Sequence, residues 1–104
     1  MAWLLIIVAG VFETAWAVGL KYSDGFSRLV PSVLTVVAMA ASFLCLAMAL
    51  KSLPVGTAYA VWTGIGAAGT AVLGIYLFQE PATVVRLGSI ALIVVGIVGL
   101  KLTS

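Results

Sequence analysis

Four long apolar runs, separated by short polar segments, make up almost the whole chain. They cover residues 2–20, 30–50, 56–78 and 83–102. A helix needs about 20 mainly apolar residues to span the hydrocarbon core of a bilayer, and each run is close to that length. The runs lack the apolar and polar alternation of membrane-barrel strands. We therefore predict an all-α integral membrane protein with four transmembrane helices in a single domain.

Polar residues mark the ends of the runs. Residues 21–28 contain the turn signal Asp24-Gly25, and we expect a loop there, after the first helix. The fourth run carries Arg86 and Lys101 near its ends. Because long basic side chains extend toward the membrane surface, this run reaches spanning length when both residues are included. Nothing in the sequence assigns a role to Lys101.

The composition narrows the possible function classes. The chain is 64% hydrophobic and only 8% charged, whereas charged residues make up about 25% of an ordinary soluble domain. The net charge of +2 comes from scattered basic residues, without the basic patch of a nucleic-acid-binding protein. The sequence has no histidine, no clustered metal ligands and no catalytic triad. We expect no nucleic-acid partner, no enzyme activity, and no metal or cofactor.

The first run resembles a signal peptide only superficially. Ala15-Trp16-Ala17 imitates a cleavage site. However, the run begins without a basic segment and has Glu13 within its apolar stretch, and both features are unlike a secretory signal. We expect this run to be retained as the first helix.

Basic residues give almost no orientation signal. With four spans, Lys51 and Lys101 lie on one side of the membrane, and Lys21, Arg28 and Arg86 lie on the other. The positive-inside rule does not separate two charges from three. Two explanations fit: a weak signal that the insertion machinery resolves, or a chain that inserts both ways. Because four helices enclose little polar space, we expect a dimer.

Glycines in the last two runs suggest close helix contacts. Gly88, Gly96 and Gly99 of the fourth run are predicted to contact the dimer partner, because small residues let membrane helices approach closely. Gly64 and Gly66 of the third run are predicted to form a flexible point, since paired glycines can kink a helix. Glycine is also common in membrane helices without either role.

Glu13 is the strongest candidate for a functional residue. It lies in the middle of the first apolar run, where an ionisable group costs at least about 2.5–3.5 kcal/mol. Gly10 and Trp16 share its helix face because they lie three residues away. The small neighbour leaves space, and the indole can wall that space or donate a hydrogen bond. The alternative is a protonated, hydrogen-bonded glutamate with a structural role.

Three further polar or aromatic residues lie deep in the second and third runs. Tyr59 and Trp62 are three residues apart, and their rings can attract a cation or form a packing pair. Ser42 is near the middle of the second run, where a serine can join a site or bond to its own helix.

One buried carboxyl group suggests an exchange mechanism. The group can hold a proton or a cationic ligand, and it cannot hold both. If the site faces the two sides alternately and does not switch when it is empty, the result is proton/cation exchange driven by the proton gradient. In a two-fold dimer, two copies of Glu13 share a cavity and titrate together.

The motifs resemble those of the small multidrug resistance family over essentially the whole chain. The family features are the four short helices, Glu13 and Tyr59-Ala60-Val61-Trp62. Three further motifs resemble the guanidinium-exporter branch. They are Trp16-Ala17 after the glutamate, Gly25-Phe26-Ser27-Arg28-Leu29, and the segment from Lys51-Ser52-Leu53-Pro54 to Gly64-Ile65-Gly66.

The resemblance implies an antiparallel, dual-topology homodimer in the bacterial inner membrane. It implies export of guanidinium in exchange for protons. The residue roles that it implies are substrate and proton binding by Glu13, hydrogen bonds to this glutamate from Trp16 and Ser42, conformational coupling by Tyr59, a pocket wall at Trp62, and a flanking position at Gly10.

Other functions stay open on the sequence. Thr14-Ala15 is less bulky than the family pattern leads one to expect, so the chain could be a broader exporter of substituted guanidinium or quaternary ammonium cations. A membrane assembly subunit without transport activity would use the glycine rows for partner contacts. A passive cation channel is a third alternative.

Overall fold

The computed structural model describes residues 1–103 as four helices, with no strand among these residues. In chain order they are α1 (Ala2–Ser23), α2 (Leu29–Ala49), α3 (Val55–Leu77) and α4 (Val84–Leu102). All four are long and apolar enough to cross a membrane. The prediction of an all-α protein with four transmembrane helices is confirmed.

The predicted end of the first helix at residue 20 is wrong by three residues. Asp24, Gly25 and Phe26 all have positive φ angles, of 49°, 70° and 65°. The left-handed turn therefore begins only after Ser23. The Ser23 hydroxyl donates to the Leu20 carbonyl at 2.8 Å and accepts from the Phe26 N–H at 3.2 Å, which closes the helix end. The first polar residues after the apolar run therefore still belong to the helix.

The α3–α4 connection folds back on the end of α3. The backbone N–H groups of Phe78 and Glu80 both donate to the Gly74 carbonyl, at 3.0 and 3.2 Å. The Thr83 hydroxyl then caps α4 by accepting from the Arg86 N–H at 3.1 Å. Such a cap satisfies one of the free N–H groups at a helix start. The other helix ends lie within one residue of the predicted ones.

Helix α1 is the centre of the packing. It contacts α2 and α3, whereas α4 contacts α3 and has no buried residue. Where α1 begins and α4 ends, the Lys101 ammonium lies 4.7 Å from the centroid of the Trp3 ring. The buried apolar cluster contains residues from α1, α2 and α3: Ile6, Ala9, Ala49, Ala58, Val61 and Trp62.

The outer face of α4 is open. A β-carbon added at Gly88, Gly96 or Gly99 would meet no atom within 4 Å. The contacts of these glycines with a dimer partner therefore stay a prediction, and the surface they would need is available.

Candidate functional site

Glu13 lies between α1 and α3, directly against the backbone of Gly66. The carboxyl group is partly buried. A β-carbon added at Gly66 would overlap its Oε1 and Cδ atoms. Glu13 Oε1 is buried and has no hydrogen-bond partner. The structure thus places an unsatisfied carboxyl oxygen in the middle of an apolar bundle.

Three glycines allow α1 and α3 to approach closely over about one helical turn. A β-carbon at Gly10 would lie 2.6 Å from the Ile65 β-carbon. The absence of a side chain at Gly66 leaves space for the Glu13 carboxyl group. Gly69 contacts Thr14, whose hydroxyl donates to the Gly10 carbonyl at 3.2 Å. Gly66 was predicted to be a flexible point, together with Gly64. Helix α3 is continuous through both, so their flexibility stays a prediction, whereas Gly66 makes a close contact with Glu13.

Ser42 connects all three packed helices. Trp62 Nε1 of α3 donates to the Ser42 hydroxyl at 2.9 Å, and this hydroxyl donates to the Ala9 carbonyl of α1 at 2.7 Å. All of these atoms are buried. In this structure Ser42 therefore donates neither to Glu13, as the resemblance implied, nor to its own helix. Its hydroxyl positions Trp62 relative to α1.

Trp16 also lacks the hydrogen bond to Glu13 that the resemblance implied. Its Nε1 is buried and has no hydrogen-bond partner, and its ring packs edge-on against Phe43 at a centroid distance of 6.3 Å. An indole N–H is a donor only, and a carboxylate is an acceptor. One turn of α1 therefore carries an unpaired donor and an unpaired acceptor.

Four aromatic rings form a row, in which Trp62 is buried, Trp16 is partly buried, and Phe43 and Tyr59 are exposed. The ring contacts are Trp16 with Phe43, Phe43 with Trp62 at 5.8 Å, and Trp62 with Tyr59 at 5.6 Å between centroids. Tyr59 is 57% exposed and forms the open end of the row. Phe43 was missed from the sequence. Its position next to Ser42 was the one available signal.

The site has the chemistry of a small-cation pocket. It offers one carboxyl group without a partner, an indole N–H, and π faces that attract positive charge. Among residues 1–103, no three His, Cys, Asp or Glu side chains group as a metal site. A bound proton or an organic cation would satisfy Glu13 without a metal ion.

Comparison with known proteins identifies the family. The family model described as Small Multidrug Resistance protein matches residues 1–93. This chain belongs to the small multidrug resistance family. Like others in this family, it is a multi-pass membrane protein.

Full-length relatives of this small multidrug resistance protein are named guanidinium exporter. One from Yersinia pestis is 64% identical, and the alignment covers 100% of both chains. One from Escherichia coli (strain K12) is 62% identical over 100% of this chain and 99% of the relative. One from Proteus vulgaris is 58% identical over all of both chains.

These relatives agree with the resemblance drawn from the motifs. They are named as exporters and not as enzymes, which confirms that this family member is a transporter-type protein and no enzyme. Their bacterial origin is consistent with the predicted inner-membrane location.

Proposed function

We propose that this protein is a proton-coupled antiporter that exports guanidinium by alternating access. Family membership and the names of the relatives support the coarser function, export of a small cation. The single observation that carries the finer proposal is the buried Oε1 atom of Glu13, which has no partner.

An unsatisfied carboxyl oxygen in an apolar interior needs either a proton or a positive ligand. An uncompensated negative charge in hydrocarbon costs several kcal/mol, and desolvation favours the protonated form. A cation with N–H donors can replace the proton, because it supplies both charge and hydrogen bonds. Since one carboxyl group cannot hold both, binding of the cation releases the proton. This exclusion is the basis of coupling.

Guanidinium fits the donors and acceptors of the site. It is planar and carries N–H donors that match the two oxygens of one carboxylate. Its flat face can stack on the rings of Trp62 and Phe43. Because Trp16 Nε1 can only donate, it cannot bond to guanidinium. Its acceptor in the loaded site is the Glu13 carboxylate, which favours the charged form that holds the cation.

The proposed transporter is an antiparallel homodimer with two copies of Glu13. Two features support this assembly. The basic residues divide two against three between the membrane faces, which gives no preferred orientation. Helix α4 has no buried residue in one chain, so its apolar surface is free to pack on a second copy. Residues Gly88, Gly96 and Gly99 provide the small surface for that contact.

A broader cation exporter is the second candidate. An apolar cavity of about 800 Å³ lies between α1, α3 and α4, and Thr14 and Ala15 are part of its wall. Apolar substituents of a larger cation would find room there. Quaternary ammonium ions have no N–H group, so they cannot donate a hydrogen bond to Glu13 Oε1. We therefore place guanidinium and its substituted forms first.

Flux measurements in reconstituted vesicles test the proposal. A pH gradient across proteoliposomes should drive guanidinium against its concentration gradient, and a guanidinium gradient should drive protons. Glu13→Gln should abolish both. Asp24→Asn is the matched control, because it removes an exposed carboxylate in a loop.

Each contrary result in these vesicles points to a different function. Guanidinium flux that ignores the proton gradient would indicate a channel. Wild-type vesicles with no exchange would contradict transport and favour an assembly subunit. Preference for quaternary ammonium over guanidinium in the same assay would favour the broader exporter.

A further inference from the structure

A second polar cavity lies at one membrane edge, apart from the Glu13 site. It has a volume of about 390 Å³ and lies between the second half of α1, the second half of α3 and the start of α4. Its polar lining residues are Lys21, Thr70, Glu80 and Arg86. Glu13, Trp16, Ser42 and Trp62 do not line it. The exchange mechanism leaves this cavity without a role.

Two buried polar atoms of this cavity's lining residues lack partners. They are the Thr70 Oγ1 atom and the Arg86 Nε atom, and neither has a hydrogen-bond partner. A guanidinium N–H can only donate, and a hydroxyl can donate or accept. Leaving such groups unpaired in a membrane protein is unfavourable. A group with several acceptor oxygens would satisfy both.

The charge balance of the cavity favours an anion. Glu80 Oε1 accepts from Arg86 Nη2 at 2.5 Å, and this is the only ion pair found in the part of the chain that the structure describes. The pair leaves the Arg86 Nε donor unused. Counting Lys21 and Arg86 as +1 each and Glu80 as −1, the cavity carries a net charge of +1.

The Lys21 ammonium group carries part of this positive charge and has no carboxylate partner among residues 1–103. Its Nζ lies 5.8 Å from the centroid of the Phe78 ring, and Phe78 itself lines the cavity. Three donors therefore come from three helices: an ammonium from α1, a hydroxyl from α3 and a guanidinium N–H from α4.

We propose that this cavity binds a phosphate group, with Lys21, Thr70 and the Arg86 Nε–H group as its donors. Phosphate is an anion with several acceptor oxygens, and it matches a charged set of three donors. Lys21 is in the last turn of α1 and Arg86 in the first turn of α4. That depth is where the headgroups of anionic lipids lie, and basic pockets between membrane helices bind such groups. The phosphate can belong to a lipid or be free in solution.

The first possible source of the phosphate group, a lipid headgroup, is tested by measuring lipid adducts on the purified protein. Native mass spectrometry would count bound phosphatidylglycerol and bound phosphatidylcholine at equal concentrations. We expect a saturable phosphatidylglycerol adduct on wild type. Lys21→Gln should weaken it about fivefold, the usual effect of one basic residue at an anionic surface. Thr70→Val, which keeps the side-chain shape and removes the hydroxyl, should also weaken it.

The second possible source, phosphate free in solution, is tested by titration with inorganic phosphate. Calorimetry on detergent-solubilised protein at constant ionic strength would show saturable binding that Lys21→Gln reduces by a similar factor. Binding of the lipid alone assigns the site to lipid headgroups, and binding of inorganic phosphate alone assigns it to the free anion. Neither measurement needs transport, so the result is independent of the proposed exchange at Glu13.

A matched control separates a built site from general surface charge. Arg28→Gln removes one positive charge from the loop after α1, and Arg28 does not line this cavity. It should leave both kinds of binding unchanged. Equal losses from Arg28→Gln and Lys21→Gln, equal binding of the two lipids, or no saturable binding of lipid or phosphate would each overturn the proposal. Retained monodispersity on gel filtration would show that the variants fold.

Discussion

The α-carbon of Gly66 faces the carboxyl group of Glu13 so closely that no side chain fits between them. The contact joins the middle of α1 to the middle of α3, and it sets where the carboxyl group lies. Within the proposed mechanism, this position decides whether Glu13 can reach both its proton and its cation.

Gly66→Ala is therefore expected to impair exchange. The added methyl group would displace the carboxyl group, and a displacement of about 1 Å in a functional site can lower rates by tenfold or more. Proteoliposome flux measures the effect. Gly56→Ala is the control on the same helix, because its added β-carbon meets nothing within 4 Å. Equal rates for both variants would show that the Gly66 contact does not position the carboxyl group.

Ser42→Ala is expected to destabilise the fold and slow exchange. It would leave the buried Trp62 N–H without its acceptor, at a cost of about 1–3 kcal/mol, and would remove the hydroxyl bond to the Ala9 carbonyl. Thermal unfolding in detergent measures the loss. Ser32→Ala on the same helix removes a hydroxyl that bonds only to the Arg28 carbonyl, and it should change the unfolding midpoint little. A Ser42→Ala midpoint as high as that of wild type would contradict the three-helix link.

Phe43→Leu is expected to weaken guanidinium binding while the protein still folds. Phe43 lies between the Trp16 and Trp62 rings, and its loss removes an aromatic face and the one ring contact of Trp16, whereas Trp62 keeps its hydrogen bond to Ser42. A cation–π contact is worth about 0.5–2 kcal/mol, so KM should rise about two- to thirtyfold. The maximal rate should change less. Phe12→Leu, at an exposed position of α1 with no ring contact among the described residues, is the control. An unchanged KM for Phe43→Leu would exclude the ring row from cation binding.

Dual orientation can be tested by cysteine labelling. The native thiol is first removed by Cys45→Ala. Ser27→Cys then offers an exposed thiol in the α1–α2 loop, whereas nearby Ser23 is buried and unsuitable. An impermeant maleimide should label about half of the molecules from outside intact cells, because the basic residues set no orientation. Labelling of nearly all or almost none would contradict dual topology.

The sequence was sufficient to predict the four helices and to select Glu13 as a candidate, because both signals are local. Run length in lipid determines the number of spans, and a carboxyl group within such a run is costly wherever the helix packs. The end of α1 was harder to predict. Lys21 and Ser23 are polar but still helical, and the backbone leaves the helix only at Asp24, because the Ser23 hydroxyl bonds to backbone groups at the helix end.

The contacts that the site residues make with other helices could not be predicted from the sequence. Phe43 packs against rings of α1 and α3. Ser42 donates to a backbone carbonyl of α1, and because every residue has such a carbonyl, the sequence carries no signal for this bond. The pair Gly64 and Gly66 is consistent both with a flexible point and with a close helix contact. The contact between Gly66 and Glu13 could therefore be identified only from the structure. The cavity lined by Lys21 and Arg86 could not be predicted either, because these residues lie far apart in the sequence.

The central claim is that Glu13 holds either a proton or guanidinium. Adding guanidinium to purified protein in weakly buffered detergent solution, over a series of pH values, tests it most directly. We predict that binding releases protons from wild type, up to one per bound cation at the pH values where the empty site is protonated, and none from Glu13→Gln. Because protons compete, each step to lower pH in that range should also weaken apparent guanidinium affinity, by up to about tenfold per pH unit. Saturable guanidinium binding to wild type without proton release at any pH would contradict the account.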